Sequence, residues 1–275
     1  MGLRISTNVA SINAQRNLGT QQKRATHALG ALSSGSRITS ASDDAAGLAI
    51  SENLKGQIVG VRQARSNANN AISLIQVSEG GLNEINNVLI RIRELGVQAA
   101  SDTVSDTERS FINQEASQLT QEADRIAKTT RFGNRKLLDG SGEQLEFHVG
   151  AFSGADNVIK YKIKADATGD ALGYGGVSLS SKSDARDTLN TVDKALEKLG
   201  AMRADFGAVQ SRLNTTVSNL DNSNENLSAA NSRLRDADIA HESAELAQAQ
   251  VLQSAAVGVL AQANQMPMQA AKLLA

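Results

Sequence analysis

Seven apolar residues recur every seven positions late in the chain: Val192, Leu199, Phe206, Leu213, Leu220, Leu227 and Leu234. Three positions further on runs a smaller-sided column: Ala195, Met202, Val209, Thr216, Ser223, Ala230 and Ala237. Two columns at this spacing form one stripe on a helix, the seam of a coiled coil. The pattern covers 58 residues from Ser183 to Ala240 without a proline. It predicts one continuous helix about 87 Å long at 1.5 Å per residue, beyond the usual helix of a globular domain. A rod of that kind is a construction element.

The composition suits narrow helix seams. Apolar residues make up 40% of the chain, yet aromatics are only 3% and Trp is absent, so the rings that fill a round core are scarce. The single proline is Pro267, which leaves almost nothing to break helices. A net charge of -1 argues against binding nucleic acid or an anionic membrane through bulk charge. The absence of cysteine excludes disulfides and thiolate metal sites. No run of 18 apolar residues is present, so no transmembrane span is expected. The start, Met1 to Ser6, lacks the apolar block of a cleaved secretory signal. If the chain is exported, it is expected to keep its N-terminus.

Read in order, the chain gives helices, one hairpin, then helices. Residues Arg4 to Leu32 are helix-like, with a stripe of Ile5, Val9 and Ile12 continued by Ala25, Leu29 and Leu32, and broken by Ser33-Ser34-Gly35-Ser36. Ser40 to Asp44 is a polar linker, and Ser42, Asp43 or Asp44 can cap the next helix. That helix runs from about Ala45 to Ala100, with heptad columns Ile75, Leu82, Leu89 and Ile85, Ile92, Ala99, and a weak point at Gly80-Gly81. Ser105 with Glu108 matches a capping box, and Ile112, Ala116, Leu119, Ala123 and Ile126 continue a helix to about Thr130. Leu145, Phe147, Val149 and then Ile159, Tyr161, Ile163 alternate, which reads as a β-hairpin over 143–164. Residues 165–182 are Gly- and Ser-rich and read as loop. The long heptad helix follows, then an Ala-rich helix from about His241 to Leu274. The fold class is mainly α: an antiparallel coiled-coil rod of long helices from both ends of the chain, with a small central β-hairpin.

The ends carry a thin seam. In the last segment Ala249, Ala256, Ala263 and Ala270 form one column and Leu252, Val259, Met266 and Leu273 another. Alanine methyls bury little surface, and an isolated helix of this kind is marginal. The two ends are therefore expected to gain order by packing against neighbouring copies, with Ile5, Val9, Ile12, Leu252, Val259, Met266 and Leu273 as the packing residues.

Two separated blocks then point to a family. Ile5-Ser6-Thr7-Asn8, Leu32 to Ile38, and Ser40-Ala41-Ser42-Asp43-Asp44-Ala45-Ala46-Gly47-Leu48-Ala49-Ile50 resemble the N-terminal signature of bacterial flagellin. Ser232-Arg233, Asp236-Ala237-Asp238 and Leu260 to Pro267 resemble its C-terminal signature. The resemblance covers about residues 1–140 and 185–275. Thr39 stands where the family usually has Asn, and Met268 separates Pro267 from Gln269. Only about 40 residues occupy the middle, where flagellins commonly insert outer domains. The resemblance thus implies an inner domain formed by 1–42 and 233–275, and a rod domain over 43–232 without variable outer domains.

It further implies a structural, non-enzymatic subunit, without cofactor. Such a subunit is exported through the flagellar type III apparatus and self-assembles into the extracellular filament for swimming. The implied partners are further copies of the chain, an export chaperone on about Ala237–Ala275, and the filament cap and hook-associated proteins. Leu89 to Gln98 resembles the patch read by the vertebrate flagellin-sensing Toll-like receptor. With a Glu on the next helix, this nominates Arg91, Leu95 and Glu115 for receptor and protofilament contact. Gly96 stands where Ala is commoner, which is expected to loosen the helix locally. A hook–filament junction protein shares such terminal helices, and a helical-hairpin signalling protein shares the Ala-, Glu- and Gln-rich composition without the hairpin.

No catalytic constellation stands out. His241-Glu242-Ser243-Ala244-Glu245 begins like H-E-x-x-H but lacks the second His. Lys128, Arg131, Arg135 and Lys136 cluster near a turn without interleaved aromatics, so they read as solvated charges.

Overall fold

The computed structural model describes residues 7–272, with side chains to residue 266. Ile5 and Leu273, both nominated above, lie outside the described residues. Six helices and two small antiparallel strand pairs follow one another: α1 (Val9–Ser34), α2 (Ala45–Ala99), α3 (Asp106–Thr129), β1 (Arg131–Phe132), β2 (Arg135–Lys136), β3 (Gln144–His148), β4 (Val158–Lys162), α4 (Gly169–Leu172), α5 (Lys182–Arg235) and α6 (Ile239–Lys272). They form two compact units, residues 1–57 with 226–275, and residues 58–225.

The first unit brings the two chain ends together. Asn8 caps α1, accepting from the Ser11 amide at 3.1 Å, and donates to the Ala263 carbonyl on α6 at 2.7 Å. Ser11 donates to Asn264 at 2.8 Å. At the other end of the pair Ser36 and Asp236 form an antiparallel bridge, closed by Arg37 N to Arg235 O at 2.7 Å and Ala237 N to Gly35 O at 3.0 Å. The terminal helices are therefore antiparallel, as expected.

That bridge corrects the reading of one helix through Ala240. The helix stops at Arg235, and Ala237 of the small column lies in the break. Asp238 restarts it by accepting from the Ala240 and His241 amides at 2.9 and 3.3 Å, as an N-cap does. A heptad column reports side-chain spacing. It does not register an Asp that offers the backbone another partner.

In the second unit, α2 and α5 are antiparallel neighbours in fixed register. Arg62 donates to Asn224 at 3.2 Å, Arg65 pairs Asp221 at 3.1 Å, and Arg93 pairs Asp193 at 2.7 Å. The 31-residue step from Arg62 to Arg93 is matched by an equal step back from Asn224 to Asp193. Beneath these pairs Ile75, Leu82, Ile85, Leu89 and Ile92 of α2 meet Val192, Ala195, Leu199, Phe206 and Leu213 of α5 in one buried cluster. Leu220 is buried as well, whereas Leu227 and Leu234, in the first unit, are half-buried.

The hairpin β3–β4 lays its inward residues on the same cluster. Leu145 pairs with Tyr161 and Phe147 with Ile159, and the Tyr161 ring lies 6.0 Å from that of Phe206, tilted by 52°. Ser105 and Glu108 form the expected capping box on α3.

Residues 165–182 are loop as read, apart from the short α4 and the start of α5, but the loop is packed. Ala165, Ala167, Leu172, Tyr174 and Leu179 are buried. Tyr174 donates to the Ala167 carbonyl at 2.9 Å, and Asn113 of α3 accepts from the Leu179 amide at 2.7 Å. The glycines here serve closeness: a Cβ on Gly169 would sit 3.2 Å from the Gly175 Cα.

Candidate assembly and recognition surfaces

Two surfaces gather the nominated residues. The first lies on the terminal helices. Their mutual seam is made of Ala14, Ala28 and Ala31 on α1 and Ala249 and Ala263 on α6, all buried. Small side chains let two backbones approach closely but remove little apolar area from water. Many of the larger residues turn outward, while Leu18 and Leu32 of α1 and Leu246 and Leu260 of α6 are half-buried. Val9, Ile12, Leu29, Val251, Leu252, Val257, Val259 and Met266 are all exposed. Of the expected stripe, Val9, Ile12 and Leu29 are thus exposed and Ala25 and Leu32 half-buried, while Ala14, Ala28 and Ala31 are the buried face. A groove of about 660 Å³ runs between Ala10 of α1 and Gly258 to Met266 of α6. Scattered exposed apolar residues are ordinary, but a contiguous set marks an interaction site.

The second surface lies on α2 and α3. Arg91 donates to one oxygen of Glu115 through Nε at 3.1 Å and Nη2 at 2.9 Å, and to Glu94 through Nη1 at 3.1 Å. The Glu115 hydrogen bonds, then those of Glu94, raise the Arg91 pKa, so the guanidinium stays charged. All three side chains are about half exposed. Leu95 differs from its nomination. It is 2% exposed and packs with Ala99, Ile112, Ala116, Leu179 and Ala185. The i, i+4 spacing from Arg91 is correct, but α3 and the 165–182 segment cover that turn. The exposed neighbours are Ile90 and Val97 on α2 and Phe111 on α3.

Gly96, read as a loosening element, is a packing element. A Cβ there would lie 3.0 Å from Leu189 Cδ2 of α5. A buried arginine escaped the sequence reading altogether. Arg109 donates to the carbonyls of Ala99 and Ser101, each at 2.9 Å, and pairs with Asp106 at 2.7 Å. It satisfies the open carbonyl end of α2 and so holds the α2–α3 corner. No residue pattern distinguishes such an Arg from a solvated one.

Three of the four charges around the turn after α3 are partnered. Lys128 pairs with Asp124, Arg135 with Glu143 at 3.5 Å and Lys136 with Asp139 at 3.7 Å. Among the described residues no group of three His, Cys, Asp or Glu side chains could hold a metal ion, and no helix is long and apolar enough to cross a membrane.

The model of the bacterial flagellin N-terminal helical region matches residues 5–143, and that of the C-terminal helical region matches 189–274. A flagellin of Halalkalibacterium halodurans is 40% identical over 271 residues, covering 98% of this chain and 99% of the relative. A flagellar filament core protein of Brachyspira hyodysenteriae is 39% identical over 282 residues, covering 98% and 99%. The crystal structure of Bacillus cereus flagellin aligns with a TM-score of 0.50 at 29% identity, over 56% of this chain and 88% of that one. With both terminal regions matched, and with relatives of the same length near 40% identity, the chain belongs to the bacterial flagellin family.

Proposed function

We propose that the chain self-assembles into the bacterial flagellar filament for swimming, with α1 and α6 building its inner layer. The family is structural rather than enzymatic, and the chain is a filament subunit of that kind. The observation that carries the assembly mechanism is the inverted use of side chains on the terminal helices. Alanines spend themselves on the α1–α6 seam while Val9, Ile12, Leu252, Val259 and Met266 face outward. Copies that nest these helices, seating one in the groove beside Gly258 to Met266, bury the larger side chains that one chain alone leaves wet.

Residues 1–42 and 233–275 act as the inner domain and 43–232 as the rod domain. The boundaries fall close to the Ser36–Asp236 bridge. The buried seam from Val192 to Leu220 stiffens the rod, and the half-buried Leu227 and Leu234 continue its column toward the inner domain. Assembly takes place outside the cell after export, a chaperone holds about Ala237–Ala275 beforehand, and cap and hook-associated proteins bound the filament. On the α2–α3 surface, Arg91 and Glu115 present fixed charge to a neighbouring protofilament or to a flagellin-sensing Toll-like receptor, while Leu95 supports the turn from beneath.

Electron microscopy of the purified chain under salting-out conditions tests this reading. Long uniform fibres are expected from the intact chain and dispersed particles from a chain lacking residues 239–275. Dispersed particles from the intact chain would contradict it.

A further inference from the structure

The single proline of the chain, Pro267, lies inside α6. A proline has no N–H, so the helical carbonyl four residues before it loses its donor. Here that carbonyl belongs to Ala263. Ala263 is 5% exposed, and a buried carbonyl without a donor costs as much as a lost hydrogen bond. The donor comes from the other end of the chain. The Asn8 Nδ2 donates to the Ala263 carbonyl at 2.7 Å across 255 positions of sequence.

Asn8 serves two helices at once. Its Oδ1 accepts from the Ser11 amide at 3.1 Å and caps α1, while its amide group supplies α6. An ionised aspartate caps a helix as well as asparagine does but has no proton to donate. Capping alone therefore does not explain the choice of side chain. In the next turn Ser11 donates to Asn264 at 2.8 Å.

Little else holds the two helices at this end. Among the described residues these are the side-chain hydrogen bonds that cross from α1 to α6. The other end is closed by the Ser36–Asp236 bridge, and the 26 residues of α1 put about 39 Å between the two closures at 1.5 Å each. Alanines fill the buried seam between them. Uniform small side chains offer nearly the same surface after a slip of one turn, whereas one polar partner placed in a seam fixes its register. The groove lies at the Asn8 end. Ala10, two residues after Asn8, forms one wall, and Val259, Ala263 and Met266 form the other.

We propose that Asn8 is a positioning residue for assembly: by donating to the carbonyl that Pro267 leaves open, it pins the far end of α1 on α6 and sets the shape of the groove that receives a neighbouring copy. This rests on the filament reading above and names the residues that fix its seat.

Asn8→Asp keeps the cap on α1 and removes the donor. Sedimentation of polymer from soluble chain measures the critical concentration, which Asn8→Asp raises about tenfold, the equivalent of about 1.4 kcal/mol. Amide exchange in the filaments shows α6 losing protection over residues 258–266 while residues 242–249 keep theirs. Pro267→Ala returns a helical N–H to the Ala263 carbonyl. In that background Asn8→Asp loses most of its effect on both readouts, because the two changes act on one site. Equal effects of Asn8→Asp in the two backgrounds would overturn the link between Asn8 and Pro267. Protection lost only in the first turn of α1 would reduce Asn8 to a cap and overturn the proposal. If the unaltered chain polymerises and Asn8→Asp matches it in both readouts, this role is overturned and the filament reading stands. An unaltered chain that forms no polymer overturns both readings.

Discussion

Leu138 and Gly81 sit closer than any side chain on Gly81 would permit. The Leu138 Cδ1 lies 2.8 Å from the position a Cβ would occupy, and the Thr130 hydroxyl oxygen lies at the same distance. Neither atom is free to retreat. Leu138 is fully buried, and the Thr130 hydroxyl donates to the Ile126 carbonyl at 2.7 Å. Gly80, its neighbour, faces open space.

The two glycines should therefore respond oppositely to one methyl group. Gly80→Ala gains up to about 1 kcal/mol from helix propensity. Gly81→Ala gains the same term but overfills a packed site at a cost of about 1–3 kcal/mol. Thermal unfolding should show Gly80→Ala at or above the parent and Gly81→Ala below it. Equal midpoints for the two variants would show that the Leu138 contact is soft.

Asp43 organises the connector before α2. Its Oδ2 accepts from the Thr39 hydroxyl at 2.8 Å and from the amides of Ser40 at 2.9 Å and Thr39 at 3.1 Å. The Thr39 hydroxyl, then the Ser40 amide, hold its pKa at about 2, below the ordinary 3.8. A depressed carboxyl contributes order that is present above its unfolded value and lost as pH falls through the folded one. Acidification from 3.8 towards 2 should release this turn, read as a loss of amide protection at Thr39 and Ser40 relative to the intrinsic exchange rate at each pH. Asp43→Asn should show that loss at neutral pH and lose the pH dependence in that window.

The Arg91 pairs are exposed, so their removal should cost little stability. The effect of Arg91→Ala belongs in recognition. A reporter cell bearing the flagellin-sensing receptor should respond less to Arg91→Ala than to the parent at equal concentration, while the unfolding midpoints agree closely. An unchanged response would remove Arg91 from the recognised surface. Leu95→Ala should behave in the reverse manner, lowering stability by about 2–5 kcal/mol as a buried truncation does.

The same contrast separates the two kinds of apolar residue along the chain. Leu213→Ala, in the buried seam, should cost about 2–5 kcal/mol in chemical denaturation of the monomer. The pair Leu252→Ser with Val259→Ser, both exposed, should leave that denaturation curve unchanged and raise the critical concentration for polymerisation. A monomer destabilised by the exposed pair would mean that those side chains already have partners within one chain.

Where side chains meet at heptad spacing, the sequence carried the fold. The columns of α2 and the large column of α5 as far as Leu220 are buried as written, since a strict period leaves a helix only one apolar face to hide, whereas Leu227, Leu234 and the companion column from Met202 to Ala230 are half-buried. The capping box at Ser105 and the hairpin over 144–162 were legible for the same local reason. The segment 165–182 was legible as loop but not as a buried one, because glycines permit close packing as well as mobility, and only Tyr174 and Leu179 in place show which applies. Leu95 was assigned to the surface by its neighbours in sequence and is covered by elements far along the chain. Val9 and Ile12 were legible as a stripe but not in their direction. An alanine face gives the tighter intramolecular fit, and periodicity does not say which of two weakly apolar faces a partner helix takes.

The central claim is that α1 and α6 keep their larger apolar residues for neighbouring copies. Hydrogen exchange compared between monomer and filament tests it most directly. The account predicts rapid exchange across α1 and α6 in the monomer, slow exchange in the α2 and α5 segments between residues 58 and 225, and strong protection of both terminal helices once filaments form. Terminal helices as protected in the monomer as the α2–α5 seam, with no change on polymerisation, would contradict it.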